Sequence, residues 1–375
     1  MISKKHINMD NFKVAQSELK DAGEAVKSLK EQLSCIDACL ILYFVSTSYP
    51  VETVCKEMAD AFGGVHTVGC TTAGEMITGK MGQNSIVAMA WSKNSLKDLK
   101  IEVLENIQND TEVVEKAFKS FEASLGKPMK DLNPAQYAGM VIIDGLSGCE
   151  EIINDHLGNH TNIPFVGGSA GDDFKFRCTN LFVDGKMFTN AAILLLMEPT
   201  NGYKILKTQS FELTGKKLTP TKVDEKRRMV IEFNGKPAAV AYAEALEVAV
   251  NDLPNYFSEY PTALVFNEQN IFVRSPQRID GTSVLFYCAI KEGLKLTILR
   301  SKDIVANTGN DLKKCGEVKA IVDFNCCLRF LELSNKKELK EYSELFGNVP
   351  TIGFSTYGES YIGHINQTST MLLLK

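Results

Sequence analysis

No apolar run in the sequence is long enough to cross a bilayer. The most hydrophobic stretches, around Ala38–Val45 and Ala191–Met197, are strand-sized, far short of the roughly 20 residues a spanning helix needs, so no membrane insertion is expected. A basic surplus is missing as well. Lys and Arg total 41 against 46 Asp and Glu, a net charge of −5, which argues against a nucleic-acid partner because such binders carry a basic field. The one dense cationic run, Lys226-Arg227-Arg228, follows Asp224 and Glu225 and reads as a solvated loop, with a phosphate contact as the alternative. The ten cysteines include no Cys-x-x-Cys pair. Several lie in apolar runs, as expected of thiols used as small hydrophobes in a reduced, cytoplasmic protein without a disulfide framework. Histidines number five, too few to suggest a histidine-rich zinc site. His156 and His160 are four apart, but Gly158 between them is expected to end the helix, leaving a solvated helix end. The opening residues 1–10 lack the apolar core of a signal peptide. Also absent are the phosphate-loop, zinc-protease and nucleophile-elbow motifs.

The 375 residues present are 44% hydrophobic and 23% charged, a globular composition with enough chain for two or three cores. An internal repeat organises them. Val68-Gly69-Cys70-Thr71-Thr72-Ala73-Gly74-Glu75, Val166-Gly167-Gly168-Ser169-Ala170-Gly171-Asp172 and Ile352-Gly353-Phe354-Ser355-Thr356-Tyr357-Gly358-Glu359 each begin apolar-Gly, carry a hydroxyl at the fourth position and end Gly-acid. Upstream of each stand a strand and a helix: Ala38–Val45 with Val51–Phe62, Gly139–Ile143 with Cys149–Leu157, and Ala320–Asn325 with Lys336–Phe346. Another apolar strand follows each: Ser85–Trp91, Ala191–Met197 and Thr370–Leu374. Leu99–Leu104 alternates like a half-buried strand, and Leu294–Leu299 looks like its twin before the third copy. The fold class expected is α/β: repeated β-α-β-turn-β modules forming mixed sheets covered by helices, in two domains. The β-α-β crossover implies parallel pairing. Asn11–Leu33 reads as one amphipathic helix. The expected division is an N-terminal helix over 1–36, a domain with two modules over 37–225, and a domain with the third module over 226–375. A helix is expected to open at Pro237.

Val68–Glu75, Phe165–Asp172, Gly235-Lys236-Pro237, Phe324-Asn325-Cys326-Cys327-Leu328-Arg329 and Pro350–Glu359 with His364 and Asn366 together resemble the FIST family in its two-part form, over roughly 37–365. That resemblance implies an intracellular sensory protein that binds a small ligand such as an amino acid or a similar small anion or zwitterion, and is coupled to a histidine kinase, a cyclase or a chemotaxis receptor. It also implies haem-binding nitric oxide sensing as an alternative. No cofactor is otherwise expected, and the partner would be a separate protein.

The candidate ligand-binding residues follow from chemistry and resemblance together. Glycines such as Gly168 let backbone approach a ligand. Thr71, Thr72, Ser169, Ser355 and Thr356 offer hydroxyls, while Glu75, Asp172 and Glu359 suit an ammonium group. The alternative is that these are tight turns whose acids cap locally. Arg329, expected at a strand end, could clamp a carboxylate, the alternative being a surface pair with Glu332; Arg274 is a weaker counterpart. Cys326 and Cys70 are thiols without an evident base, so an enzyme using Cys70 or Glu75 is the less favoured reading. His364 is the candidate haem ligand.

Overall fold

The computed structural model describes residues 11–110, 112–267 and 270–375. Its central feature is a set of three six-stranded mixed sheets with the same strand order. In the first, Ala38–Val45 pairs parallel with His66–Thr71 across the Val51–Ala61 helix. In the second, Ala138–Ile143 pairs parallel with Phe165–Ser169 across the Glu150–His160 helix. In the third, Ala320–Cys326 pairs parallel with Thr351–Thr356. An antiparallel strand flanks each pair: Ile86–Ser92, Ala191–Pro199 and Thr368–Leu374. Outside that lies one more, Phe12–Ser17, Leu96–Glu105 or Tyr203–Gln209.

Each module gives its hairpin away. The hairpin after the first Gly segment, Glu75–Ile77 with Lys80–Gly82, adds to the third sheet. The hairpin Leu181–Val183 with Lys186–Phe188 adds to the first. Glu359–Tyr361 with His364–Ile365 adds to the second. The exchange is cyclic, so N- and C-terminal sequence shares sheets and the backbone ladder crosses between them.

Strand periodicity explains the core. Along Ala38–Val45, Leu40, Leu42 and Phe44 enter a cluster shared with Met140, Ile142, Phe324 and Leu372 of the other sheets. Ile41, Tyr43 and Val45 face the sheet's own helices with Val26, Leu29, Val54 and Met58, as a period of two requires. The repeated apolar-Gly pair has one cause in all three copies. A Cβ on Gly69, Gly167 or Gly353 would lie 2.1, 1.7 or 2.3 Å from the carbonyl oxygen of Tyr43, Val141 or Asp323 on the neighbouring parallel strand.

Residues 211–301, which in sequence lie between the Tyr203–Gln209 and Ala320–Cys326 strands of the third sheet, build two smaller antiparallel sheets. They enclose the Ala238–Leu246 helix, which Pro237 precedes, around a core of Phe233, Tyr242, Phe257 and Ile298.

Several local expectations are corrected. Residues 11–33 are not one helix: Phe12–Ser17 is a strand and Ala22–Leu33 a helix. Asp21 caps that helix, accepting from the Glu24 N–H at 2.9 Å, and only after it does the apolar spacing become three to four. The twin of Leu99–Leu104 is a strand, Leu296–Ser301, but it does not join the third sheet. Leu296–Ser301 pairs inside the insertion, because the insertion separates it from the module, and Tyr203–Gln209 takes the outer position. In the third module the helix begins at Cys327, runs to Lys336, and is followed by Leu339–Glu344. Gly158 does not stop its helix. The helix runs to His160, held by buried Ile153 and Leu157, since an interior glycine costs only about 1 kcal/mol.

Candidate functional site

The three Gly segments meet and bond to one another through their backbones. Ala73 N–H donates to Ser355 O and Ser355 N–H to Gly74 O, at 3.0 and 2.7 Å. Tyr357 N–H donates to Ser169 O and Ser169 N–H to Gly358 O, at 3.2 and 2.8 Å. Gly171 and Asp173 N–H donate to Thr71 and Thr72 O, at 3.0 and 2.8 Å. Turns that satisfy each other in this way are not free to cradle an anion.

Two of the three terminal acids cap the last strand of their own module. Glu75 Oε2 accepts from Ser85 N–H and Oγ–H at 3.0 and 2.9 Å, and Thr72 Oγ1 bonds Oε1. Glu359 Oε2 accepts in the same way from Thr368 N–H and Oγ1–H, at 3.0 and 2.8 Å. Burial pushes the Glu75 carboxyl up to about 8 against these donors, and burial drives Glu359 well above the ordinary range. A neutral acid is a poor ammonium anchor. Asp172 behaves differently. Burial would raise it, but the Tyr357 hydroxyl (2.5 Å) and the N–H groups of Phe176, Arg177 and Cys178 (2.8, 2.6 and 3.0 Å) hold it below its usual range.

Those donors fix a strained loop. Asp173, Phe174 and Phe176 have φ of 53°, 62° and 51°, a left-handed conformation that costs a non-glycine residue about 1 kcal/mol or more. Asp173 anchors it through Thr47 N–H at 2.7 Å and Oγ1–H at 2.6 Å. The strain presents Phe176, 56% exposed, stacked on Tyr357 with centroids 4.8 Å apart.

Phe176 and Tyr357 form one wall of a cleft of about 530 Å³, completed by Phe174, Leu146, Tyr287 and Leu331. The cleft opens where the Ala138–Ile143 and Ala320–Cys326 strands end, at Gly145 and Cys327. Ligands in α/β sheets favour that end of the strands. The first residues of two helices reach it, Glu150 and Cys327, and neither helix has a side-chain N-cap. Their N–H groups favour negative charge there. Lys226, Arg227 and Arg228 form the basic side. Arg228 Nη2 lies 2.6 Å from both Glu150 Oε2 and Glu151 Oε2, and Nη1 donates to Tyr287 O at 3.0 Å. Burial opposes the charge on Glu151, yet His364 and Arg228 beside it hold its carboxyl well below the usual range.

Comparison with known proteins supplies the family. Residues 39–236 match the profile of the FIST N domain and residues 238–361 that of the FIST C domain. The chain belongs to the FIST family. FIST domains are associated with sensory signal transduction. The chain is also similar to an uncharacterized protein of Methanocaldococcus jannaschii, 22% identical over 330 residues, 83% of this chain and 61% of the relative. It thus spans about three-fifths of that relative's length.

Other candidate residues of this FIST chain lie inside it. Arg329 sits on the Cys327–Lys336 helix, not at a strand end, and is 2% exposed. Its guanidinium donates to Asn325 Oδ1 (2.8 Å), Ser210 Oγ (3.3 Å) and Thr308 Oγ1 (3.0 Å), while Glu332 pairs instead with Lys336. Arg274 is half-buried and donates to Val273 O. Cys70 and Cys326 are fully buried, and burial pushes both thiols well up. Cys326 ends a strand and Cys327 starts a helix, so the pair does not share a strand. Gly168 packs against Thr356, whose hydroxyl donates to Ser169 O. Ser355 Oγ, Glu359 Oε1 and Asn366 Oδ1 are buried without a partner.

His364 does not fit a haem iron. Its Nδ1 lies 3.1 Å from Glu151 Oε1, and its Nε2 is buried against Gly358, where even a Cβ would come within 2.1 Å. The cleft residues that sequence reasoning missed include Phe174, Phe176, Tyr287 and Leu331. The signal for the cleft was Lys226-Arg227-Arg228, which lies in a turn with Lys226 and Arg227 exposed, as a solvated loop requires, and also lines the cleft.

Proposed function

We propose that this FIST protein is a cytoplasmic small-molecule sensor whose ligand enters the cleft between Tyr357 and Arg228 and carries an apolar or aromatic body with one anionic group. The lining is the observation that carries this reading. Aromatic and aliphatic walls suit the body, and Lys226 with two uncapped helix N-termini suits a carboxylate or phosphate, while Arg227 pairs with Asp280 and Arg228 with Glu150 and Glu151. The sole carboxylate among the described lining residues is Glu150, which Arg228 already holds. A plain anion therefore suits the cleft better than a zwitterion. The ligand would wedge against the strained loop and the insertion together, and a change in their spacing is what a separate histidine kinase, cyclase or chemotaxis-type partner would read.

A thermal-shift screen of aromatic carboxylates, phosphorylated metabolites and amino acids, followed by calorimetry, tests the proposal. An anionic, partly apolar hit whose affinity falls in Phe176→Ala and in Lys226→Glu supports it. A hit that binds both variants unchanged sinks the site, and a preference for cationic ligands sinks the chemistry.

A further inference from the structure

Continuation of the Glu150–His160 helix through Gly158 brings His156 and His160 onto one face, a turn apart, with ring centroids 5.9 Å apart and planes within 5°. Glu115 reaches the same place from the neighbouring Val113–Leu125 helix. One donor atom from each residue lies within 4.8 Å of the others. We propose that Glu115, His156 and His160 bind a divalent transition-metal ion, zinc by preference, which clips the two helices together at the surface away from the cleft.

Hydrogen bonding fixes how His160 would act. Its Nδ1 lies 2.8 Å from the His156 carbonyl oxygen, an acceptor only, so Nδ1 carries the proton. A neutral ring then turns its Nε2 lone pair toward Glu115 Oε1, 3.3 Å away. Two acceptors face each other there, and a cation between them, a proton or a metal ion, resolves the contact. The separation suits a metal: bonds of about 2.0–2.1 Å at tetrahedral angles place neighbouring donors about 3.3–3.4 Å apart. A backbone carbonyl holding Nδ1–H is also the arrangement that orients a ligating histidine. His156 adds an independent observation, since its Nδ1 is buried and has no partner. Phe118, edge-on to His160 at 6.3 Å, and buried Phe121, Ile153 and Leu157 hold the two helices in register. Two nitrogens and one carboxylate oxygen suit zinc and leave a fourth position for water.

The other group with metal-like spacing, Glu150, Glu151 and His364, is unsuited because the Arg228 guanidinium already lies between its two carboxylates.

The test uses tag-free full chain stripped with chelator under reducing conditions, with exposed Cys35 and Cys178 replaced by serine to remove accessible thiols. Calorimetric titration with Zn²⁺ should show one ion per chain. His156→Ala, His160→Ala and Glu115→Gln should each weaken it by more than about tenfold, and Co²⁺ should give visible bands of tetrahedral intensity that vanish in the same variants. These side chains are partly exposed, so thermal unfolding of each metal-free variant should match the parent. Absence of binding, or an affinity in both histidine variants equal to that of the parent, overturns the proposal and assigns the Glu115–His160 contact to a proton.

Discussion

Glu75 offers a prediction whose sign and size both follow from its surroundings. It is 1% exposed, caps Ser85 and bonds Thr72, and its carboxyl is pushed up to about 8 from an ordinary 4.5. Burial is the main cause, and Asp173 adds to it. Between those two values the folded protein holds a proton that the unfolded chain releases, so stability falls as pH rises through that window. Below it both states are protonated and nothing is lost; above it the full penalty applies. At 1.36 kcal/mol per pH unit the gap from 4.5 to about 8 corresponds to roughly 4–5 kcal/mol. Glu75→Gln cannot ionise. Its amide donates to Thr72 Oγ1 while its oxygen still accepts from Ser85. Urea unfolding at about pH 5, 7 and 9 should find variant and parent nearly equal at the lowest pH. At the highest the variant should be more stable by several kcal/mol. A stability difference that stays constant across the three pH values would refute the reasoning, since Glu75 would then be ionised throughout or exposed.

Four further outcomes are expected. Gly167→Ala places a methyl 1.7 Å from the Val141 carbonyl oxygen and should cost about 3 kcal/mol or more in chemical denaturation. Gly158→Ala meets nothing within 4 Å in a continuous helix and should raise stability by up to about 1 kcal/mol; a loss would contradict the helix. Arg329→Ala strands the acceptors of a fully buried guanidinium and should lower stability by roughly 3–5 kcal/mol, while cleft affinity in the protein that remains folded is unchanged. Thiol titration should return all ten cysteines under denaturing, non-reducing conditions, and the exposed Cys35 and Cys178 should react first in the native protein. A shortfall of two would reveal a disulfide.

Local chemistry was legible where one element decides it. Alternation marked the strands, Pro237 the start of a helix, and three Gly-hydroxyl-Gly-acid segments the repeat. The glycine that follows the apolar residue is needed for one reason, the approach of the neighbouring strand, and Gly69, Gly167 and Gly353 share it. What these segments do was not legible. The same residues serve as a ligand cradle or as mutually bonded turns depending on what stands opposite, and Ala73 meeting Ser355 is a contact between residues about three-quarters of the chain apart. Arg329 shows the same dependence. As a residue in a motif it looked like a clamp, but Asn325, Ser210 and Thr308 consume its donors.

By itself the sequence determined the α/β class, the family, the three modules and the absence of a long apolar span, because periodicity, composition and turn chemistry act over a few residues. Only the tertiary structure decided that each hairpin leaves its own module for the next sheet, that the Gly turns bond to one another, and that Phe176, Tyr357 and Arg228 meet around a cleft. Hairpin exchange preserves every local pattern, since a strand keeps its alternation whichever sheet it joins. Partner choice therefore rests on long-range packing and backbone pairing that no local pattern encodes.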